Sequence, residues 1–466
     1  MTKYDIAVIG AGPGGYVAAI RAAQLGKNVC IIERESLGGI CLNWGCIPTK
    51  ALLKSAQVFN YIRHAADYGI VVSDSKADFG KIISRSRAVA EGMSKGVQFL
   101  MKKNKINVIM GSARLLGSGK IQVTNSDGGL NELEAEHIIL ATGARAKELP
   151  NLKIDGEKII DYRKAMTLTS APKEMVVVGA GAIGVEFAHF YNSLGTKVTI
   201  IEFMEQGLVP REDADISKEL TRSFKKAGIQ VLGNTSVEKV EKAKQGLVVY
   251  AKDRKEGKES QINCDVVLSA AGVSPNTENL GLEKLGIKQD KGYLLVDEFY
   301  RTNVSGVYAI GDIVPGPALA HVASAEGIIC VEKICGHNPQ PLDYGNIPGC
   351  TYCTPEIASV GLTEAEAKAK GFDILVGKFP FSASGKASAS GNKEGFVKVL
   401  YDKKYGELLG AHLIGDHVTE MIAELVVAKK LETTGHEILK AVHPHPTMSE
   451  AIMEATAAAY GEVIHL

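Results

Sequence analysis

Cys41 and Cys46, in the run Cys-Leu-Asn-Trp-Gly-Cys, are the residues whose type and spacing are best suited to chemistry. A bridge across so short a turn-containing loop is local, accessible and readily reduced, so the pair can store and release two electrons by thiol–disulfide exchange. Two other readings stand beside this one: a pair of free buried thiols, or half of a metal site. A metal site, however, needs a second Cys/His pair nearby. Cys350-x-x-Cys353 also has redox or zinc spacing, but it reads as strand, where an offset of three sends the side chains to opposite faces. It is assigned a structural role, and Cys30, Cys264, Cys330 and Cys335 are expected to be buried small apolar residues. The second chemically capable pair is His445 and Glu450. An imidazole with a reference pKa of about 6.5 can take a thiol proton near neutral pH, and a carboxylate can orient the ring. Pro446 is expected to start a helix with Glu450 in its second turn. The same two residues are compatible with simple surface decoration. His443 lies next to this pattern but outside it, and His64, His321 and His412 carry no case beyond packing or surface roles.

Two glycine clusters suggest what the electrons travel to. Gly10-x-Gly12-x-x-Gly15 follows an apolar strand and opens an Ala-rich helix, the arrangement needed for a tight turn, close approach of backbone to a pyrophosphate, and helix packing on a sheet. Glu33 ends the next strand, eighteen residues after Gly15, where its carboxylate can accept hydrogen bonds from ribose hydroxyls. Gly179-x-Gly181-x-x-Gly184 repeats the pattern and Glu202 follows Gly184 by the same eighteen residues. One copy alone is weak evidence; two with matching offsets indicate two dinucleotide sites. Glu202 favours a free 2′-hydroxyl and repels a 2′-phosphate, and no arginine appears before Arg211 to compensate, so the second site is expected to take NAD rather than NADP.

These residues need a scaffold of about three domains, which 466 residues allow. The expected fold class is α/β: two Rossmann-like dinucleotide-binding domains and a C-terminal α+β domain, where strand-like runs such as Phe396-Val-Lys-Val-Leu-Tyr precede helices near 418–431 and 449–460. The first dinucleotide domain is drawn over 1–148 and 271–345, the second over 149–270, and the third over 346–466. Lys+Arg and Asp+Glu balance at 53 each, so nothing marks a nucleic-acid or acidic-membrane surface. The apolar stretch 6–20 is broken by Gly-Pro-Gly-Gly and closed by Arg21, short of the roughly 18 residues of a membrane helix, and it resembles a signal core only superficially. Eight cysteines spread through a long chain fit a reducing cytoplasm in which any disulfide is catalytic.

The run Gly-Gly-x-Cys-Leu-Asn-x-Gly-Cys-Ile-Pro-Thr-Lys at 38–50, Ala-Thr-Gly at 141–143, Gly-Asp at 311–312 and the His-Pro-His-Pro-Thr-Met-Ser-Glu run at 443–450 together resemble the flavoprotein disulfide reductases along essentially the whole chain. The resemblance implies FAD at the first fingerprint and NAD at the second. It implies that Cys41 exchanges with substrate sulfur while Cys46 lies against the flavin. It places Lys50 near the flavin nitrogen that receives hydride, paired with Glu186, and it assigns the flavin's ribityl chain to Asp312 and the cofactor edge to Thr142 and Gly143. Gly39 and Ala320 are further FAD positions, and Gly272 a further NAD position, on the same basis. His445 and Glu450 would reach the other subunit's centre, making a homodimer with shared active sites and the third domain its interface. Within the family the likeness is strongest to members that oxidise protein-bound dihydrolipoyl groups with NAD. Lipoyl domains of 2-oxoacid dehydrogenase acyltransferases or of the glycine-cleavage carrier are then the implied partners. Trp44 departs from the small or aliphatic residue more usual between the cysteines, which bears on substrate access. The alternatives are a glutathione reductase-like NADPH enzyme, opposed by Glu202, and a non-catalytic flavoprotein sensor, which gives no reason for Cys41, Cys46, Lys50, His445 and Glu450 to occur together. Mercuric and large thioredoxin reductases need an additional C-terminal redox pair, whereas the last cysteine here is Cys353.

Overall fold

The strand Thr2–Ile9 turns at Gly10 into the helix Pro13–Gln24, and Val29–Glu33 returns parallel beside it. The helix starts at Pro13 because Gly12 caps it and proline's fixed φ suits the first helical position. The computed structural model describes residues 2–466, and its chain divides into two compact units.

The first unit takes the chain up to Leu52 with Gly80–Lys147 and Gly272–Leu342. Its seven-stranded sheet runs Asn107–Met110, Val29–Glu33, Thr2–Ile9 and Leu130–Leu140, with Val307–Ala309 also parallel to the last of these. Leu130–Leu140 serves two partners along one edge, Lys120–Thr124 antiparallel with its first half and Val307–Ala309 parallel with its end, while Thr2–Ile9 pairs with Leu133–Leu140 on the other edge; Ser112–Gly117, beside Lys120–Thr124, completes the seven. Ala7 and Ile9 pack into one core cluster and Ile6 and Val8 into another, so the sheet is covered on both faces. That double burial explains the unbroken apolar run of the first strand.

The second unit comprises Leu53–Phe79, Glu148–Ala271 and Asp343–Leu466. A five-stranded parallel sheet, ordered Gln230–Leu232, Lys197–Ile201, Glu174–Val178, Val266–Ser269 and Ile159–Ile160, carries the second glycine turn. An antiparallel three-stranded sheet, Thr235–Lys242, Leu247–Asp253 and Glu259–Cys264, follows within the same stretch of chain. The C-terminal part is an antiparallel five-stranded sheet whose core strands are Phe396–Asp402 and Leu408–Gly415, with the helices Val418–Lys430 and Glu450–Tyr460 behind it. No helix among the described residues is long and apolar enough to cross a membrane.

Two cysteine expectations need correction. Cys30, Cys264 and Cys330 are buried, but Cys335 is only half-buried, because it caps the end of helix Ala320–Ile334 at the edge of the core. The strand near Cys350 stops at Thr351, so Cys353 lies beyond it in a turn, fully buried, with its Sγ donating to the Pro355 carbonyl at 3.2 Å.

Every residue of Phe396–Asp402 is buried, including Lys398, whose side chain is 3% exposed. Its ammonium bonds Asp213 at 2.9 Å, Asp215 at 3.1 Å and Glu364 at 2.7 Å. Burial alone would raise Asp213 and Asp215, yet the Lys398 bonds, joined by the N–H groups of Glu364 and Asp215 at Asp213 and by Lys378 at Asp215, outweigh it and hold both below the ordinary carboxylate range. Carboxylates depressed in the folded chain stabilise it fully above their unfolded values, about 4, and that contribution is lost as the pH falls through the folded values. Lys398→Met strands the buried Asp213 carboxylate and is expected to destabilise the protein by about 3–5 kcal/mol at neutral pH. In denaturant melts of the holoprotein the deficit should shrink as the pH is taken below about 4. An unchanged midpoint at neutral pH would show that the cluster contributes nothing.

Candidate active site

The two glycine turns have the same construction. Gly10 and Gly179 take φ of +104° and +102°, and a Cβ on either would strike the carbonyl oxygen of the adjoining strand's end, Ala141 or Ala270. A Cβ on Gly15 or Gly184 would strike the carbonyl oxygen of Gly10 or Gly179, so the third glycine lets the helix press against the turn. Around Gly12 and Gly181 a Cβ would meet nothing within 4 Å. These middle glycines therefore face open space at helix starts with no side-chain cap, which leaves backbone N–H groups for an anion. The residues fit a dinucleotide pyrophosphate at both turns. Gly39 belongs to the first cradle: its φ is +56°, and a Cβ there would come within 2.6 Å of the Gly12 Cα.

The acids at the two strand ends match as closely. Glu33 Oε2 accepts the Ala11 N–H at 2.8 Å and Oε1 that of Glu35 at 2.8 Å. Glu202 Oε2 accepts the Ala180 N–H at 2.7 Å and Oε1 that of Met204 at 2.8 Å. Each carboxylate is buried and locked to its fingerprint turn, yet each oxygen keeps a lone pair for a ribose hydroxyl.

Cys41 and Cys46 are bridged, with Cα atoms 4.8 Å apart. The segment between them is not the expected turn-containing loop. Gly39–Trp44 is a short helix entered from Gly38 at φ +93°, and Cys46 opens the helix Cys46–Arg63. Asn43 imposes this winding by donating to the carbonyls of Leu37 at 3.0 Å and Gly39 at 2.9 Å. Lys50 follows Cys46 by one turn on the same helix face.

Three consecutive residues of the helix Phe79–Lys103, none evident as functional from sequence, hold this segment. Arg85 donates to the Ala51 carbonyl at 2.8 Å, fully buried Ser86 to that of Pro48 at 2.9 Å, and Arg87 to that of Asn43. The Arg87 guanidinium also stacks on Trp44, 4.4 Å from its ring centre, while the indole N–H donates to Glu35 at 2.9 Å. Trp44 is thus engaged by residues on both sides of it. No local pattern signals this grip, because it joins segments about forty residues apart through side chain to carbonyl bonds.

Thr142 Oγ1 donates to the Asn276 carbonyl at 2.6 Å, and the Asn276 amide returns a bond to the Thr142 carbonyl at 3.1 Å. The Asn276 N–H reaches the carbonyl of Gly143, itself at φ +68°. Asp312 lies in the short helix Gly311–Ile313, beyond a strand that ends at Ala309, and burial pushes its carboxyl upward. Glu326, almost wholly buried, fixes this turn by accepting the Gly311 N–H at 2.6 Å. Ala320 is the first residue of the helix that carries Glu326. In the second unit Glu186 is buried on the fingerprint helix and accepts the Tyr352 N–H at 2.9 Å. Gly272, at φ +100°, accepts the Lys147 N–H at 3.0 Å where the chain re-enters the first unit.

His445 Nδ1 lies 2.8 Å from Glu450 Oε1, and Glu450 Oε2 accepts the Thr447 N–H at 2.7 Å. Pro446 does not start the helix, and Glu450 is its first residue rather than part of a second turn. The Glu450 carboxylate draws Thr447 and the imidazole into a turn ahead of the helix, which keeps Pro446 outside it. Burial alone would raise Glu450, but the Thr447 N–H and the His445 ring hold it below the usual carboxylate range. The His445 side chain is 77% exposed, with Nε2 turned away from its orienting acid. His443, by contrast, has both ring nitrogens occupied, by Glu424 at 2.8 Å and the Ala441 carbonyl at 3.1 Å.

The family described as pyridine nucleotide-disulphide oxidoreductase matches residues 4–327, and its dimerisation domain matches residues 347–456. The chain is 49% identical to a dihydrolipoyl dehydrogenase of Rhizobium etli, covering 99% of each chain, and 48% identical to one of Zymomonas mobilis over the same shares. It also superposes on the crystal structure of LpdA from Mycobacterium tuberculosis with a TM-score of 0.89 and 29% identity, over 98% of this chain and 99% of that one. The fold class is therefore the expected one, two dinucleotide-binding regions followed by a dimerisation domain. FAD and NAD are the cofactors that go with it. With near-complete coverage at such identity, and the glycine cradles and cysteine bridge in place, the chain belongs to the pyridine nucleotide-disulphide oxidoreductases.

Proposed function

We propose that the chain oxidises protein-bound dihydrolipoyl groups with NAD, the activity named for its relatives from Rhizobium etli and Zymomonas mobilis. The observation that carries the reading is the bridged Cys41–Cys46 pair, set directly after the first dinucleotide cradle and packed on it through Gly39. In this reading FAD occupies the cradle of Gly10, Gly12, Gly15 and Glu33, with Gly39, Lys50, Thr142, Gly143, Asp312 and Ala320 along its length. NAD occupies that of Gly179, Gly181, Gly184 and Glu202, with Glu186 and Gly272. The FAD domain is 1–148 and 271–345, the NAD domain 149–270 and the interface domain 346–466.

A substrate thiolate attacks Cys41 Sγ, the Cys41–Cys46 bond breaks, and Cys46 leaves as a thiolate. The second substrate sulfur then displaces Cys41, so that the substrate departs as a disulfide and the protein holds two electrons as a dithiol pair. His445 takes the proton released from the substrate thiol, and Glu450 keeps the ring aimed and stabilises its charged form. Bound at the Gly10–Gly15 cradle, FAD would supply a two-electron carrier between the cysteine pair and a nicotinamide held at the Gly179–Gly184 cradle. His445 serves the disulfide of the partner subunit in a homodimer. The partners are lipoyl domains of 2-oxoacid dehydrogenase or glycine-cleavage systems, in the cytoplasm.

Three experiments test this. Cys41→Ser should retain FAD and lose dithiol turnover, with the remaining Cys46 thiolate giving a long-wavelength charge-transfer band that Cys46→Ser lacks. Full dithiol–NAD activity in either variant would sink the disulfide mechanism. The ratio of kcat/KM for NAD to that for NADP should be at least about tenfold, or ~1.4 kcal/mol, since Glu202 discriminates at the ribose. Equal values would refute the cofactor assignment.

The shared centre is tested by mixing subunits. Homodimers of Cys41→Ser or of His445→Gln should be inactive with dithiol, whereas a heterodimer of the two regains one intact centre and up to half the activity of the parent. Differently tagged heterodimers, purified with native FAD content, give the measurement. If they show no recovery, His445 acts within its own chain.

A further inference from the structure

The ribose end of the second cradle holds an arginine that the chain supplies from elsewhere. Phe203, which follows Glu202, is 54% exposed, and the tight connection between the strands Leu247–Asp253 and Glu259–Cys264 lays Arg254 over it. The Arg254 Cζ sits 3.6 Å from the Phe203 ring centre. Its Nη1 donates to the Phe203 carbonyl at 3.0 Å and reaches Asn234 Oδ1 at 3.4 Å. Backbone bonds tie the same residues together: Arg254 N–H to the Asn234 carbonyl at 2.8 Å, Asn234 N–H to that of Met204 at 3.0 Å, and Thr235 N–H to that of Glu202 at 2.8 Å. The guanidinium is thereby anchored against the residue next to the ribose acid. It is exposed, and among the described residues no carboxylate lies within ion-pair distance of it. Its Nε and Nη2 donors are left for another partner, and a planar guanidinium with donors to spare is suited to phosphate.

A buried carboxylate, Glu202, and an anchored, unneutralised guanidinium held on the next residue, Phe203, thus stand at one end of the nucleotide cradle. The carboxylate accepts from a hydroxyl and repels a phosphate, and the guanidinium does the reverse. We propose that Arg254 is a specificity-determining residue, positioned to bind an anionic group on the ribose 2′-oxygen, and that Glu202 is the single barrier that keeps 2′-phosphorylated nucleotides out. The proposal rests on the reading of the Gly179–Gly184 cradle as the nicotinamide nucleotide site. Arg254 lies fifty-two residues along the chain from Glu202, so a search of the residues next to that acid, where no arginine appears before Arg211, does not reach it.

The test is calorimetric binding of two probes, 5′-AMP and adenosine 2′,5′-bisphosphate, to the FAD-loaded full chain. The parent should bind 5′-AMP and bind the bisphosphate more weakly. Glu202→Ala should tighten the bisphosphate at least tenfold relative to the parent, and Glu202→Ala/Arg254→Ala should lose that gain while binding 5′-AMP as the single variant does. A gain that survives in the double variant, or no gain in a Glu202→Ala protein that still binds 5′-AMP, would overturn the role of Arg254. Failure of the parent to bind 5′-AMP would overturn the nucleotide reading of the cradle and the proposal with it. Should Glu202→Ala not fold, Arg254→Glu carries the same test with Glu202 in place. It should weaken the bisphosphate at least threefold and leave 5′-AMP within twofold, and equal weakening of both probes would overturn the proposal.

Discussion

The organisation of both nucleotide cradles depends on one close approach, that of a helix's first turn to the carbonyl oxygen of the glycine that precedes it. Gly15 against Gly10, and Gly184 against Gly179, leave room only for hydrogen. Because the helix can come that close, its unbonded N–H groups are aimed at the gap beside Gly12 or Gly181, and the N–H of Ala11 or Ala180 meets the carboxylate of Glu33 or Glu202. The carboxylate in turn fixes the end of the next strand. Helix, turn and second strand therefore stand or fall together at each cradle, and the redox segment is packed on the first of them through Gly39.

This constraint made much of the fold, and the two glycine turns with their strand-end acids, legible in the sequence. A glycine forced by φ near +100° or by contact with a carbonyl occurs at a set spacing from its neighbours, and an acid at a strand end repeats at the same offset. Side-chain support from distant segments leaves no such trace. Lys398 sits in a run that reads simply as a buried strand, and its three carboxylate partners lie well away from it in sequence. The Arg85, Ser86 and Arg87 bonds land on carbonyls, which every residue has, so nothing in the chemistry of Asn43, Pro48 or Ala51 marks them as targets. The last helix starts later than Pro446 for a related reason. Proline's preference for a first helical position is a local rule, and the pull of Glu450 on Thr447 and His445 overrode it.

The two acids Glu33 and Glu202 illustrate how one device serves different ends. Their backbone bonds are interchangeable, but their surroundings are not. Glu35 beside the first is bonded to Trp44 and so connects the ribose end of one cradle to the segment between the cysteines. Phe203 beside the second carries an arginine and an open edge. Duplicated architecture thus leaves the two residues after each acid as the place where the two sites diverge.

The grip of the long helix on the cysteine segment has a kinetic consequence. Asn43, Pro48 and Ala51 are held by bonds that involve neither sulfur, and Asn43 winds its own turn. Breaking the bridge therefore removes one of several ties and leaves the backbone with the others. Two thiols so confined face each other at an effective molarity far above that of any free thiol in solution, because the orientational entropy of meeting has already been spent in folding. Ring closure is then fast and the ring opens without unravelling its surroundings, so the pair can cycle at every turnover with little reorganisation of the chain around it.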